Sequence, residues 1–237
     1  MNKELENISL SEKKIYINFI IFTSILCVVI LFAIEQILMV DYLTKTVSKI
    51  ILFTMSPVVF IKIIRKTSLK EGLNLKLVDK ETIGVGILLG VLSAVILVGA
   101  FMFFKKIINM DVIFLELATK SKITSTNYLI VTTYFTFANS FLEEFFFRGF
   151  IFTNLNKMGY KKVGYIFSSL LFALYHIGIF KNWFSIELIL LCILGLFITG
   201  IVFNYVDTKS DNFLNSWAIH ILADLTIVII GYMYLFK

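Results

Sequence analysis

Proline is almost missing from this chain: Pro57 is the single one among 237 residues. With no Ser/Gly-rich stretch and no long charged tract either, there is no place for a disordered linker or a second soluble domain. Charge is scarce too. Only 16% of residues are Asp, Glu, Lys or Arg, against 59% hydrophobic, where a soluble domain carries about a quarter and about half. Two cysteines, Cys27 and Cys192, both lie in apolar runs and read as buried small hydrophobes rather than a disulfide or metal pair. No solenoid or propeller repeat is present, nor a matched pair of broken helices. Gly195 and Gly200 in LGLFITG have no phosphate-loop or dinucleotide fingerprint around them and read as sites of close helix approach.

What is abundant points to a bilayer. Mean hydropathy is +0.91, and 25 Phe suit helices that pack against lipid and each other. A span needs about 20 apolar residues at about 1.5 Å each. Seven runs meet this or nearly so: 16–39, 48–64, 83–104, 128–156, 160–181, 186–206 and 213–236. The expectation is an all-α, polytopic transmembrane bundle of about seven spans with a polar site inside it. The polar start MNKELENISLSEKK is not a short basic leader, and the run after it is too long for a cleaved signal, so the first helix is expected to be retained.

The 22 Lys and Arg residues fall mainly between apolar runs, not on an aromatic-interleaved patch. This excludes nucleic-acid binding and leaves membrane topology as their explanation. Thirteen lie on the N-terminal side and eight, Lys45 and Lys49 among them, on the other, which predicts a cytoplasmic N-terminus and an exterior C-terminus. Segments 68–81 and 110–122 mix apolar and charged residues; each is either a headgroup-plane helix or an ordinary loop.

Ionisable residues inside spans cost about 2.5 to 3.5 kcal/mol each on insertion scales, so they default to a functional or pairing role. The fourth run reads NSFLEEFFFRGF, with Glu143, Glu144 and Arg148; the fifth reads FALYHIGIF, with His176; the seventh reads SWAIHILADL, with His220 and Asp224. These are the only histidines in the chain. Glu144 and Arg148 are i,i+4 and can pair on one face, as can His220 and Asp224, while Glu143 points about 100° away, beside Asn139. From the span ends Glu143, His176 and Asp224 lie roughly 16 to 24 Å deep, with His220 one turn shallower. Singly, a buried His or a Glu–Arg pair is an ordinary packing group; three spans that put their rare polar residues in one layer point to a shared site. Glu35, near the end of the first run, and Glu187, at the start of the sixth, read as helix-end charges.

Glu143-Glu144-x-x-x-Arg148, then Phe172-x-x-x-His176, then His220-x-x-x-Asp224, each in its own apolar helix and in this order, resemble the CPBP family of intramembrane proteases. That family includes the type II CAAX prenyl endopeptidases and bacterial proteins linked to bacteriocin self-immunity. The resemblance covers roughly 128–230, dividing one integrated bundle into N-terminal helices, 1–127, and CPBP-like helices, 128–237. It implies an endopeptidase that hydrolyses a peptide bond of a membrane-associated or lipid-modified peptide or protein at the bilayer. Glu143 would activate water with His176, His220 and residue 224 would stabilise the oxyanion, and Glu144, Arg148, Asn139 and Phe172 would shape the site. Many members have Asn where this chain has Asp224, which donates a hydrogen bond only when protonated. The family is described both as metal-free glutamate proteases and as metalloproteases. Glu143, His176 and His220 are the candidate ligands for a divalent metal such as zinc, and both cofactor readings stay open. A non-enzymatic immunity or scaffold protein with the same fold is the alternative. The Lys, Ile, Asn and Phe bias is of an AT-rich bacterial kind, which implies a multi-pass bacterial cell-membrane protein.

Overall fold

The computed structural model describes residues 5, 8–69, 80–120 and 122–235. Every regular element among them is helical: α1 (Leu10–Gln36), α2 (Tyr42–Ile64), α3 (Lys80–Phe104), the short α4 (Met110–Thr119), α5 (128–157), α6 (Lys161–Phe180), α7 (Ile186–Ser210) and α8 (Leu214–Leu235). Six of these, all but α4 and α5, are long and apolar enough to cross a membrane. The seventh expected span, α5, is helical throughout but alternates between α and π turns. Its longest stretch of one kind is the eight-residue π segment Phe145–Phe152.

Two helix starts fall six residues before the hydropathy reading, and local capping explains both. α1 starts at Leu10 rather than 16, because Ser9 and Glu12 form a reciprocal box: Ser9 Oγ accepts from the Glu12 N–H at 3.2 Å and the Glu12 carboxylate accepts from the Ser9 N–H at 3.0 Å, satisfying two otherwise unpaired donors. α2 starts at Tyr42 rather than 48. Asp41 caps it, accepting from the N–H groups of Leu43 at 2.9 Å and Thr44 at 3.1 Å. Lys45 and Lys49, counted with the exterior lysines from sequence, are therefore helical, and Lys49 is buried.

Segment 110–122 forms α4, capped by Asn109. Its Glu116 accepts from Asn182 Nδ2 at 2.9 Å and Trp183 Nε1 at 2.5 Å, which ties α4 to the turn that follows α6. Segment 68–81 lies mostly outside the described residues. Near the same end Glu35 pairs with Lys45, and Gln36 Nε2 donates to the Gly178 carbonyl at 2.6 Å.

The core is aromatic. Phe53 of α2 stacks on Phe146 of α5 at 4.0 Å between centroids, and Phe147 meets Phe172 of α6 edge-on at 5.3 Å. α3 packs chiefly on α8 and α7 on α6. A Cβ on Gly200 would stand 2.7 Å from Ser169 Cβ, so that glycine permits the close approach of α7 to α6; Gly195 faces open space and takes no part, contrary to the sequence expectation. Cys27 is buried beside Ser56 Oγ at 3.2 Å, whereas Cys192 is only half-buried, because its stretch of α7 is partly exposed.

Candidate active site

The fourth run carries two adjacent acids, and successive helical residues cannot face the same way. The structure separates them accordingly. Glu143 and Glu144, in the α-helical turn Ser140–Glu144 between the two π segments of α5, are both buried and have different partners.

Glu144 sits in a fixed network. Its Oε1 accepts from Arg148 Nη1 at 3.2 Å, the pair expected at i,i+4, and from His220 Nδ1 at 2.8 Å. Arg148 is fully buried, its guanidinium 4.1 Å from the Phe172 ring centroid and 4.9 Å from that of Phe203, so the cation is covered by two π faces as well as paired.

Glu143 uses its two oxygens differently. Oε1 accepts from Lys49 Nζ at 2.6 Å and from Asn139 Nδ2 at 3.1 Å. Oε2 is buried without a hydrogen-bond partner and lies 3.8 Å from His176 Nε2 and 3.9 Å from His220 Nε2. The ring tautomers follow from the opposite nitrogens. His176 Nδ1 is 2.8 Å from the Phe172 carbonyl, which can only accept, so Nδ1 carries a proton and Nε2 faces Glu143. His220 Nδ1 donates to Glu144 in the same way. Asp224 is buried, with Oδ1 3.7 Å from His220 Nε2 and Oδ2 without a hydrogen-bond partner.

The eight residues singled out from sequence thus come together at the meeting of α5, α6 and α8: Glu143, His176, His220 and Asp224 around the gap, with Glu144, Arg148, Asn139 and Phe172 holding them. Two buried ionisable residues were missed. Lys49, the second residue of the run read as 48–64, was counted with the exterior lysines as a helix-end charge; the Asp41 cap, which puts it two turns into its helix, was the readable signal. Asp207 fell one residue beyond the end assigned to the sixth run. It is buried in α7 and accepts from the Ser216 N–H at 3.3 Å and Ser216 Oγ at 2.9 Å, fastening the first turn of α8.

The donor set does not fit a metal ion. Among the described residues no group of three or more His, Cys, Asp or Glu side chains is disposed to hold one. The ammonium of Lys49 also occupies one oxygen of Glu143, adding a like charge beside any dication. Oε2 of Glu143 lies 3.8 and 3.9 Å from the two imidazole nitrogens, too far for a direct hydrogen bond to either.

Fold and site together define a multi-pass helical membrane protein that gathers two acids and two imidazoles in its buried interior. Residues 125–226 match the family model described as Type II CAAX prenyl endopeptidase Rce1-like, so that segment is similar to the CAAX-type proteases. The matched segment contains the acids and imidazoles of the centre and excludes Lys49. No curated protein and no solved structure matches the chain.

Proposed function

We propose that this protein is an intramembrane endopeptidase that hydrolyses a peptide bond of a membrane-associated or lipid-modified protein, using water activated by Glu143 and His176. One observation carries the reading: Oε2 of Glu143, lacking a hydrogen-bond partner, is shared at 3.8 and 3.9 Å by the Nε2 atoms of both histidines. A scaffold held by polar contacts has no need of an orphaned carboxylate oxygen between two imidazoles. The family match over 125–226 supports the same chemistry.

In this reading a water in the gap donates one proton to Oε2 of Glu143 while His176 Nε2 accepts its second hydrogen bond. The water oxygen attacks the carbonyl carbon, and the carbonyl π pair moves onto oxygen. His220, as imidazolium with Glu144 at one nitrogen and Asp224 beside the other, donates Nε2–H to that oxyanion. A preorganised donor in a water-poor interior stabilises it strongly. Collapse breaks the C–N bond, and the proton on Glu143 passes to the departing amine. The second water proton, on the new carboxylic acid, passes through His176 Nε2 to the new amine, so the products are a carboxylate and an ammonium and Glu143 returns to its starting form. The helices of 1–127 and of 128–237 form one integrated bundle around this chemistry, set in a bacterial cell membrane with its N-terminus in the cytoplasm.

The test compares the membrane proteomes of cells carrying wild type, Glu143→Ala or His176→Ala. A precursor that accumulates in both variants, each present in the membrane at wild-type level, is the expected result. Unchanged processing in either variant overturns the reading. Protection or partner binding kept by both variants, with no precursor anywhere, favours the non-enzymatic alternative.

A further inference from the structure

An ammonium inside a lipid-embedded bundle is costly unless paired, and Lys49 is only 4% exposed. Its Nζ donates to Glu143 Oε1 at 2.6 Å and to Asn139 Oδ1 at 2.5 Å, and it stands 5.0 Å from the ring centroid of Tyr175 and 5.6 Å from that of Phe53. The side chain reaches the centre from α2, outside the segment 125–226 that matches the protease family.

A salt bridge that served only to join α2 to α5 could use any buried acid. This one is built on the carboxylate whose other oxygen faces both imidazoles. Oε1 already accepts from Asn139 Nδ2 at 3.1 Å as well as from Lys49, so its lone pairs are engaged and the plane of the carboxylate is fixed. Oε2 is then the one oxygen left to take a proton from water. Without the ammonium, the carboxylate is free to turn about its last torsion, which is broad for a terminal sp3–sp2 bond.

We propose that Lys49 is a positioning residue of the hydrolytic centre, its ammonium clamping Oε1 of Glu143 so that Oε2 alone faces Nε2 of His176 and His220. The inference rests on the protease reading above. It assigns to the N-terminal helices a direct part in the reaction geometry: Lys49 touches neither substrate nor water and acts through Glu143.

Two measurements test it, on purified full-length protein in detergent. The first needs no substrate. Thermal unfolding is compared for Lys49→Met, Glu143→Gln and the double variant, which replaces the ion pair by two neutral groups. The double variant is expected to be more stable than Lys49→Met alone, since it leaves no unpaired charge. Strict additivity means the two groups are not coupled and overturns the clamp.

The second measures cleavage of the precursor that accumulates in Glu143→Ala membranes. Lys49→Met is expected to lose roughly 10²-fold in kcat with KM within about threefold of wild type. Lys49→Arg, which keeps the charge and leaves no acid unpaired, is expected to fold and to cleave measurably faster than Glu143→Gln. Wild-type kcat in Lys49→Met, or a folded Lys49→Arg no faster than Glu143→Gln, overturns the role of Lys49 alone. Wild-type cleavage by Glu143→Gln overturns the protease reading itself, so the two failures are distinguishable.

Discussion

Arg148 is the largest fully buried side chain among the described residues. It pairs with Glu144, which in turn fixes His220, while the rings of Phe172 and Phe203 cover its guanidinium. Arg148→Ala removes one of the two partners of a buried carboxylate, leaving it His220 alone, and is expected to cost about 3 to 5 kcal/mol, read as a lower unfolding temperature in detergent. Arg148→Lys keeps the charge but not the planar stack, so its unfolding temperature should fall between those of wild type and the alanine variant. Asp224 makes a different prediction. Its Oδ2 has no hydrogen-bond partner, so Asp224→Asn, which adds a donor at the same place, should retain precursor cleavage, whereas Asp224→Leu should lose it. Equal loss in both would show that the negative charge is what matters there. Glu143, Glu144 and Arg148 were legible in sequence because helical spacing alone sorts them into faces. Lys49 was not, since the second residue of a run reads as a helix-end charge until the cap at Asp41 moves the helix start to Tyr42.

α5 shows where element-level reading stops. Hydropathy located the run, but the π turns at Tyr134–Asn139 and Phe145–Phe152 on either side of the acids come from packing within the bundle, which composition does not encode; single π turns are frequent at functional sites. The two glycines of α7 give a paired test of helix packing. At Gly200 an added methyl meets Ser169 Cβ at 2.7 Å and the Ser169 Cα at 2.9 Å, and backbone cannot step aside. Gly200→Ala is therefore expected to destabilise by about 1 to 3 kcal/mol. Gly195, with nothing within 4 Å of the added atom, should accept Ala with no loss or a gain of up to about 1 kcal/mol. Thermal unfolding of the two variants side by side checks both. Sequence treated these glycines alike because a small residue in an apolar run looks the same whether it faces a helix or lipid.

For the molecule as a whole, the spans were read from hydropathy and the family resemblance from three short motifs, but the ammonium beside Glu143 comes from a helix outside the matched segment 125–226. Burial of Lys49 moves one lysine from the exterior count, leaving seven there against thirteen on the N-terminal side, so the charge bias for a cytoplasmic N-terminus grows. Protease shaving of intact cells should remove an epitope tag at the C-terminus and spare one at the N-terminus; the reverse would invert the topology. The central claim is that water at Glu143 cleaves a peptide bond, and the most direct measurement incubates the precursor collected from Glu143→Ala membranes with purified protein in detergent. Wild type is predicted to convert it to two fragments with a new C-terminal carboxylate, and Glu143→Gln, shown to be folded by its own unfolding transition, is predicted to leave it intact. A precursor untouched by wild type, or cut equally by both, would contradict the account.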